Sequence, residues 1–233
     1  LGRVDMARGE DGKWIVEKAS HIELVVADVG EDRAAADWLE ERTGDLRARM
    51  DEVVGELTAP AGRNRSWVSS PAGNLVCDAM LESSGADVSF QNKGGIRKAL
   101  AAGPVTRRDA YEILPFGNVL VTMTMSGADL KALVSASVVG RGNTGLEVGG
   151  LVVDVAGRDI RSIRVGGAPL VEDRAYTLVT NSFLADKGDG YEGFAAGKVL
   201  ERTDITLEAA LVAYLAKYRP ATPSVEQRVK RVR

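Results

Sequence analysis

The sequence predicts an α+β fold, and three observations predict it. Helical and strand-like stretches mix along 233 residues without the regular strand–helix–strand alternation of a doubly wound sheet. Three β-branched runs, residues 151–155, 160–165 and 175–181, follow one another with no helical pattern between them. Apolar residues make up 45% of the chain and charged residues 27%, which supports a sizeable core in one large domain or in one domain with an appended arm.

Residues 1–25 alternate and turn around R-G-E-D-G-K-W, as a hairpin finishing an earlier fold does. Residues 31–57 carry the strongest helical pattern. Ala35, Leu39, Leu46, Met50, Val53 and Leu57 recur at steps of three, four or seven and form one apolar stripe. Asp45 and Arg49 support it as an i,i+4 pair, and Gly44 weakens it by about 1 kcal/mol relative to Ala. A long charged helix of this kind serves as a coiled-coil arm or as a connector between domains, and we expect a connector. Residues 58–73, rich in Pro, Gly and Ser, form a loop, and a helix runs from Asn74 with Leu75, Val76, Ala79 and Met80 inward. Strand 87–91 leads into N-K-G-G-I-R. Thr106 and Asp109 form the Thr-x-x-Asp cap of a short helix through Leu114. Strand 118–125 precedes an amphipathic helix over 127–138, whose Leu130, Leu133 and Val134 face a core. A glycine-rich loop over 140–150, the three strands, a loop over 183–194 and a closing helix over 206–218 complete the order.

Composition excludes several functions. The net charge of −3 and the lack of a basic stripe before the terminal R-V-K-R-V-R argue against a nucleic-acid polymer as partner, and the tail itself reads as a solvated terminus. No run of about 18 apolar residues is present to span a membrane. Cys77 is the single cysteine and sits in an apolar helical pattern, so it reads as a core thiol. His21 is the single histidine and reads as a strand-edge residue, so neither a metal cluster nor a Ser-His-Asp triad is supplied by these residues. The chain opens without an initiator Met or a leader pattern and reads as a piece of a longer protein.

Three loops carry more chemistry than turning requires. The first places Asn92 and Arg97 around Gly94 and Gly95, an amide and a fixed cation suited to an anionic ligand with polar edges. The second, L-P-F-G-N, holds Phe116 between a proline and a glycine, where a core aromatic is not expected. The third holds Phe183, Asp189 and Tyr191 around Gly188 and Gly190. Two rings on separate loops can clamp a planar group, and a carboxylate beside them can accept from vicinal hydroxyls. The alternative is that both phenylalanines plug the core and Asp189 is a turn residue.

G-N-L-V-C-D-A-M-L, N-K-G-G-I-R-K-A-L-A-A-G-P-V-T, I-L-P-F-G-N-V-L-V-T-M-T-M and Y-T-L-V-T-N-S-F-L-A-D-K-G-D-G-Y, in this order and spacing, resemble the C-terminal domain of the 5'-nucleotidase family of metallophosphoesterases. The resemblance covers about residues 58–218. It implies that 1–25 is the tail of an absent N-terminal metallophosphoesterase domain, 26–57 the linker helix, and 58–233 the substrate-binding domain. It implies a nucleotide or nucleoside ligand, with Phe116 and Phe183 sandwiching the base, Asp189 on the ribose hydroxyls, Arg97 on phosphate and Asn92 beside the substrate. Asn118 would meet a base edge. The family's upstream phosphate-binding arginine corresponds to Arg65, one residue beyond the position counted from Gly73, with Arg63 in reserve. Lys93 and Lys187 replace the family's usual small residues and are expected either to add charge near the phosphates or to face solvent. No cofactor is implied for this chain itself. Two divalent ions such as Zn or Mn, and the hydrolysis of the phosphoric ester, belong by resemblance to the absent domain, which is the chain's own protein partner. Resemblance also implies a periplasmic, secreted or cell-surface location. The rival readings are a thiosulfohydrolase of the sulfur-oxidation type and a noncatalytic nucleotide-binding module.

Overall fold

A computed structural model describes residues 2–23, 25, 29–64, 68–137, 145–157 and 159–232. The chain divides into two compact units, residues 1–48 and 49–233. In the first, β1 (Gly2–Arg8) and β2 (Trp14–His21) pair antiparallel, with His21 opposite Gly2 at the open end. Helix α1 (Arg33–Met50) follows and buries none of its residues, leaving Trp38, Leu39 and Leu46 exposed.

The helix expected through residue 57 ends at Met50. Residues 53–57 instead form β3 (Val53–Leu57), antiparallel to β5 (Gly103–Thr106). Val53 and Leu57 are four apart, a spacing that fits a helical turn and two strand repeats alike. The β-branched pair Val53–Val54 and the close approach of Leu215 to Gly55 decide for the strand.

The second unit is built on a five-stranded sheet in the order β12-β6-β11-β4-β7. Its strands are β4 (Val88–Asn92), β6 (Val119–Ser126), β7 (Leu146–Gly149), β11 (Ala175–Asn181) and β12 (Lys198–Thr206). β4 and β11 run parallel and the other pairings are antiparallel. Alternation along β11 and β6 sends Leu178, Val121 and Met123 into one apolar layer and Val179 and Leu120 into another.

The first layer is closed by α4 (Gly127–Ser137) and a four-stranded sheet, β10-β9-β8-β13, whose last strand is β13 (Val229–Arg231). There β8 (Leu151–Ala156), β9 (Asp159–Val165) and β10 (Ala168–Pro169) are antiparallel neighbours. The second layer is closed by α2 (Pro71–Ser84), α3 (Arg107–Ile113) and α6 (Leu207–Lys217). Helix α2 begins at Pro71, three residues before the expected start, because Ser70 caps it by accepting from the Gly73 N–H at 3.0 Å. Cys77 is wholly buried there, and burial pushes its thiol up to about 12, as a core thiol requires.

Two further expectations are corrected. The glycine-rich loop over 140–150 contains β7, whose Leu146 and Val148 are buried, and its residues 140–144 lie outside the described residues. The basic tail is not a solvated terminus: β13 (Val229–Arg231) pairs parallel with β8, and Arg228 is buried against Asp78 at 2.7 Å. A buried guanidinium needs a carboxylate partner, and Asp78 on α2 provides it. No helix among the described residues is long and apolar enough to cross a membrane.

Candidate functional site

Parallel pairing of β4 with β11, and antiparallel pairing of β11 with β6, bring three loops to one end of the sheet. Asn92 closes β4, Asn181 closes β11 opposite Leu120, and Asn118 immediately precedes β6. The loops leaving these positions enclose a cavity of about 390 Å³ lined by Asn92, Gly94, Gly95, Arg97, Phe116, Asn118, Phe183 and Asp189. Loops far apart in sequence thus converge.

The exposure of the two rings speaks against the core-plug alternative. Phe116 is 57% exposed and Phe183 41% exposed, while the apolar residues of both cores lie at 9% or below. Neither ring is buried in the core. Phe183 lies on the one-turn helix α5 (Ser182–Ala185), capped by Asn181, whose Oδ1 accepts from the Leu184 N–H at 2.8 Å. A Cβ at position 188 would come within 2.5 Å of the Phe183 ring, so glycine is required for the ring to rest where it does. Asp189 holds φ 54°, a left-handed conformation that Asp tolerates better than most residues, and Gly190 follows at φ 70°.

Polar groups are held by one another. Asn181 Nδ2 donates to Gln91 Oε1 at 2.7 Å and to Asn92 Oδ1 at 3.1 Å. That fixes the Asn92 amide, whose Nδ2 donates to Asp189 Oδ2 at 3.1 Å across the cavity wall. Gly95 packs closely on the Gln91 and Asn92 side chains, and a Cβ there would lie 2.4 Å from Gln91 Nε2. Ser182 Oγ donates to Asn118 Oδ1 at 3.5 Å, a long contact. Arg97 Nη1 donates to the Gly94 carbonyl at 3.2 Å, and its guanidinium carbon lies 5.7 Å from the Phe116 ring centroid, within cation–π reach. Arg63 Nη1 donates to the Arg97 carbonyl at 2.8 Å.

Of the residues singled out from sequence, six side chains and two glycines line the one cavity, and Gly188 and Gly190 support it from the third loop. Arg65 lies outside the described residues. Lys187 forms an exposed pair with Glu192 at 3.8 Å. Lys93 neither faces solvent nor lines the cavity; its side chain is 4% exposed and bonded to Glu147 at 2.6 Å. Sequence alone assigns no role to Gln91 or Asn181, although the Asn-x-x-Leu run at the end of a strand is an N-cap signal. Among the described residues no three His, Cys, Asp or Glu side chains converge to hold a metal ion.

Fold and site together define an α+β small-molecule-binding domain whose cavity joins two accessible aromatic rings to a carboxylate and a guanidinium. The chain belongs to the 5'-nucleotidase C-terminal domain family, whose model matches residues 53–196, from β3 through the third loop. It is 30% identical over 190 residues to the endonuclease YhcR of Bacillus subtilis, covering 79% of this chain and 16% of that protein. It is 28% identical over 193 residues to the cell wall protein Lmo0130 of Listeria monocytogenes, covering 70% and 25% respectively. Among solved structures it is similar to a 5'-nucleotidase precursor from Thermus thermophilus, with 26% identity and a TM-score of 0.77, covering 99% of this chain and 49% of that one. The chain spans about half the length of that structure and a quarter or less of the two curated relatives.

Proposed function

We propose that this chain is the nucleotide-binding part of a two-domain, metal-dependent phosphoesterase of the 5'-nucleotidase kind. The carrying observation is the pair of accessible rings, Phe116 and Phe183, facing one cavity that also holds Asp189 and Arg97. Rings of this kind stack on a base, the carboxylate accepts from ribose hydroxyls, and the guanidinium pairs with phosphate. Asn92 and Asn118 orient polar edges of the ligand. A thiosulfate-bearing substrate has no planar group to use the rings, which favours the nucleotide reading over the sulfur-oxidation one.

In this reading α1 is the linker, and the β1–β2 ribbon belongs to a preceding metallophosphoesterase domain. Exposed Val4, Met6, Trp14, Ile15 and Val16 support that, since a two-stranded ribbon is marginal without a further layer to cover it. The two divalent ions would be held outside this chain, which has one histidine, and would activate water and stabilise charge on the transferring phosphoryl group. This chain's contribution is positioning. The family relationship and the cell-wall relative support a location at the cell surface or beyond the membrane.

Calorimetric titration of the purified chain with AMP, adenosine and inorganic phosphate tests the proposal. AMP should bind more tightly than adenosine or phosphate alone, and the chain should not hydrolyse AMP with Mn²⁺, Zn²⁺ or Co²⁺. Failure to bind adenosine contradicts the base clamp. Metal-dependent turnover by this chain alone contradicts the division of labour.

A further inference from the structure

The turn that presents Asn92 and Arg97 to the cavity contains a lysine that faces the other way. Lys93 and Glu147 form an ion pair of 2.6 Å with side-chain exposures of 4% and 2%. Lys93 Nζ also donates to the Val68 carbonyl at 2.9 Å. Glu147 accepts from Ser70 Oγ at 2.5 Å and from the Ser70 N–H at 3.2 Å, and Ser70 is the residue that caps α2. One buried cation therefore joins the turn after β4 to the edge strand β7 and to the approach to α2.

A buried ion pair is weak evidence for stability, because desolvating both charges offsets most of their attraction and apolar residues of similar shape would serve as well. Its value lies in direction and distance, which an apolar contact does not fix. We infer that Lys93 is a positioning residue of this site, holding the turn from behind so that Arg97 presents its charge to the phosphate of a bound nucleotide. The inference rests on the nucleotide reading above. Anchors then hold the turn from both sides, Asn92 to Asp189 on the cavity side and Lys93 to Glu147 on the far side, while the Arg97 backbone is tied to Ile113 and Arg63. The rings stand on other loops, so the base should be held without the far-side anchor.

The test compares wild type with the double variant Lys93→Met/Glu147→Gln, which removes both charges together and leaves an acceptor for Ser70. Adenosine and AMP are titrated calorimetrically, with thermal melts as the control for folding. Adenosine affinity should stay within about twofold, while AMP affinity falls about tenfold, as a weakened charged contact to phosphate would give. A folded variant with an unchanged AMP-to-adenosine ratio overturns the inference alone. Wild type that binds neither ligand overturns the nucleotide reading and this inference with it. A second measurement needs no variant: acylation of lysines in the wild-type protein, mapped by mass spectrometry with and without AMP. Lys93 should stay unmodified in both samples. Modification in the free protein and protection by AMP would make Lys93 a direct phosphate contact and overturn the positioning role.

Discussion

Phe183 rests against the backbone of Gly188, and that contact makes the glycine's missing side chain part of the candidate site. A Cβ at 188 would meet three ring atoms at 2.5–2.6 Å. Gly188→Ala must therefore move the ring, which lines the cavity and is not locked in the core. We expect a folded protein whose adenosine affinity falls about fivefold, a loss of about 1 kcal/mol of stacking. Inorganic phosphate binding should not change. Adenosine titration checks this, and an unaltered affinity would mean that the ring contributes nothing to the base site. The same scale shows what sequence leaves hidden. Phe116 stands out because a Pro-Phe-Gly run is no place for a core aromatic, and Asp189 because it lies between glycines. Lys93 gives no such sign. In a turn a lysine reads as solvent-facing, and only its burial against Glu147 reveals otherwise.

Helix α3 starts from a reciprocal cap. Asp109 accepts from the Thr106 N–H at 3.0 Å, and Thr106 Oγ1 accepts from the Asp109 N–H at 3.2 Å. Burial alone would raise the Asp109 carboxyl, but bonds from Thr106 and from Lys98 outweigh it and hold the group below the usual aspartate range. A carboxyl depressed in the folded state stabilises fully above its unfolded value, and that contribution is lost as pH falls through the folded value. Asp109→Asn should thus cost about 1 kcal/mol near neutral pH, and its deficit against wild type should shrink below about pH 4. Urea unfolding of both proteins across that range measures it. A deficit independent of pH would mean that the charge is irrelevant to the cap. The Thr-x-x-Asp spacing made this helix legible in advance. β3 and β7 were not legible: V-V-G-E-L fits two periods, and β7 is four residues inside a glycine-rich run, recognisable only when β4 pairs with it. Tertiary pairing decides such short strands.

At the scale of the whole molecule, the sheet's strand order is what creates the site. Placing β11 between β4 and β6 sets Asn181 beside Gln91 and Asn92, and that brings the loops bearing Arg97, Phe116 and Phe183 around one cavity. Sequence supplied the candidate side chains, but only the pairing shows that they share a cavity. The central claim is that the rings hold the base and Arg97 the phosphate, so the two should be separable. Titrating adenosine and AMP into Phe183→Ala and Arg97→Ala tests that directly, with thermal melts to confirm folding. Phe183→Ala should weaken both ligands by about 5- to 150-fold, because stacking contributes about 1–3 kcal/mol per base, while Arg97→Ala should weaken AMP far more than adenosine. A core role for Phe183 would instead lower stability by about 3–5 kcal/mol. A folded Phe183→Ala protein that binds adenosine as wild type does would contradict the account.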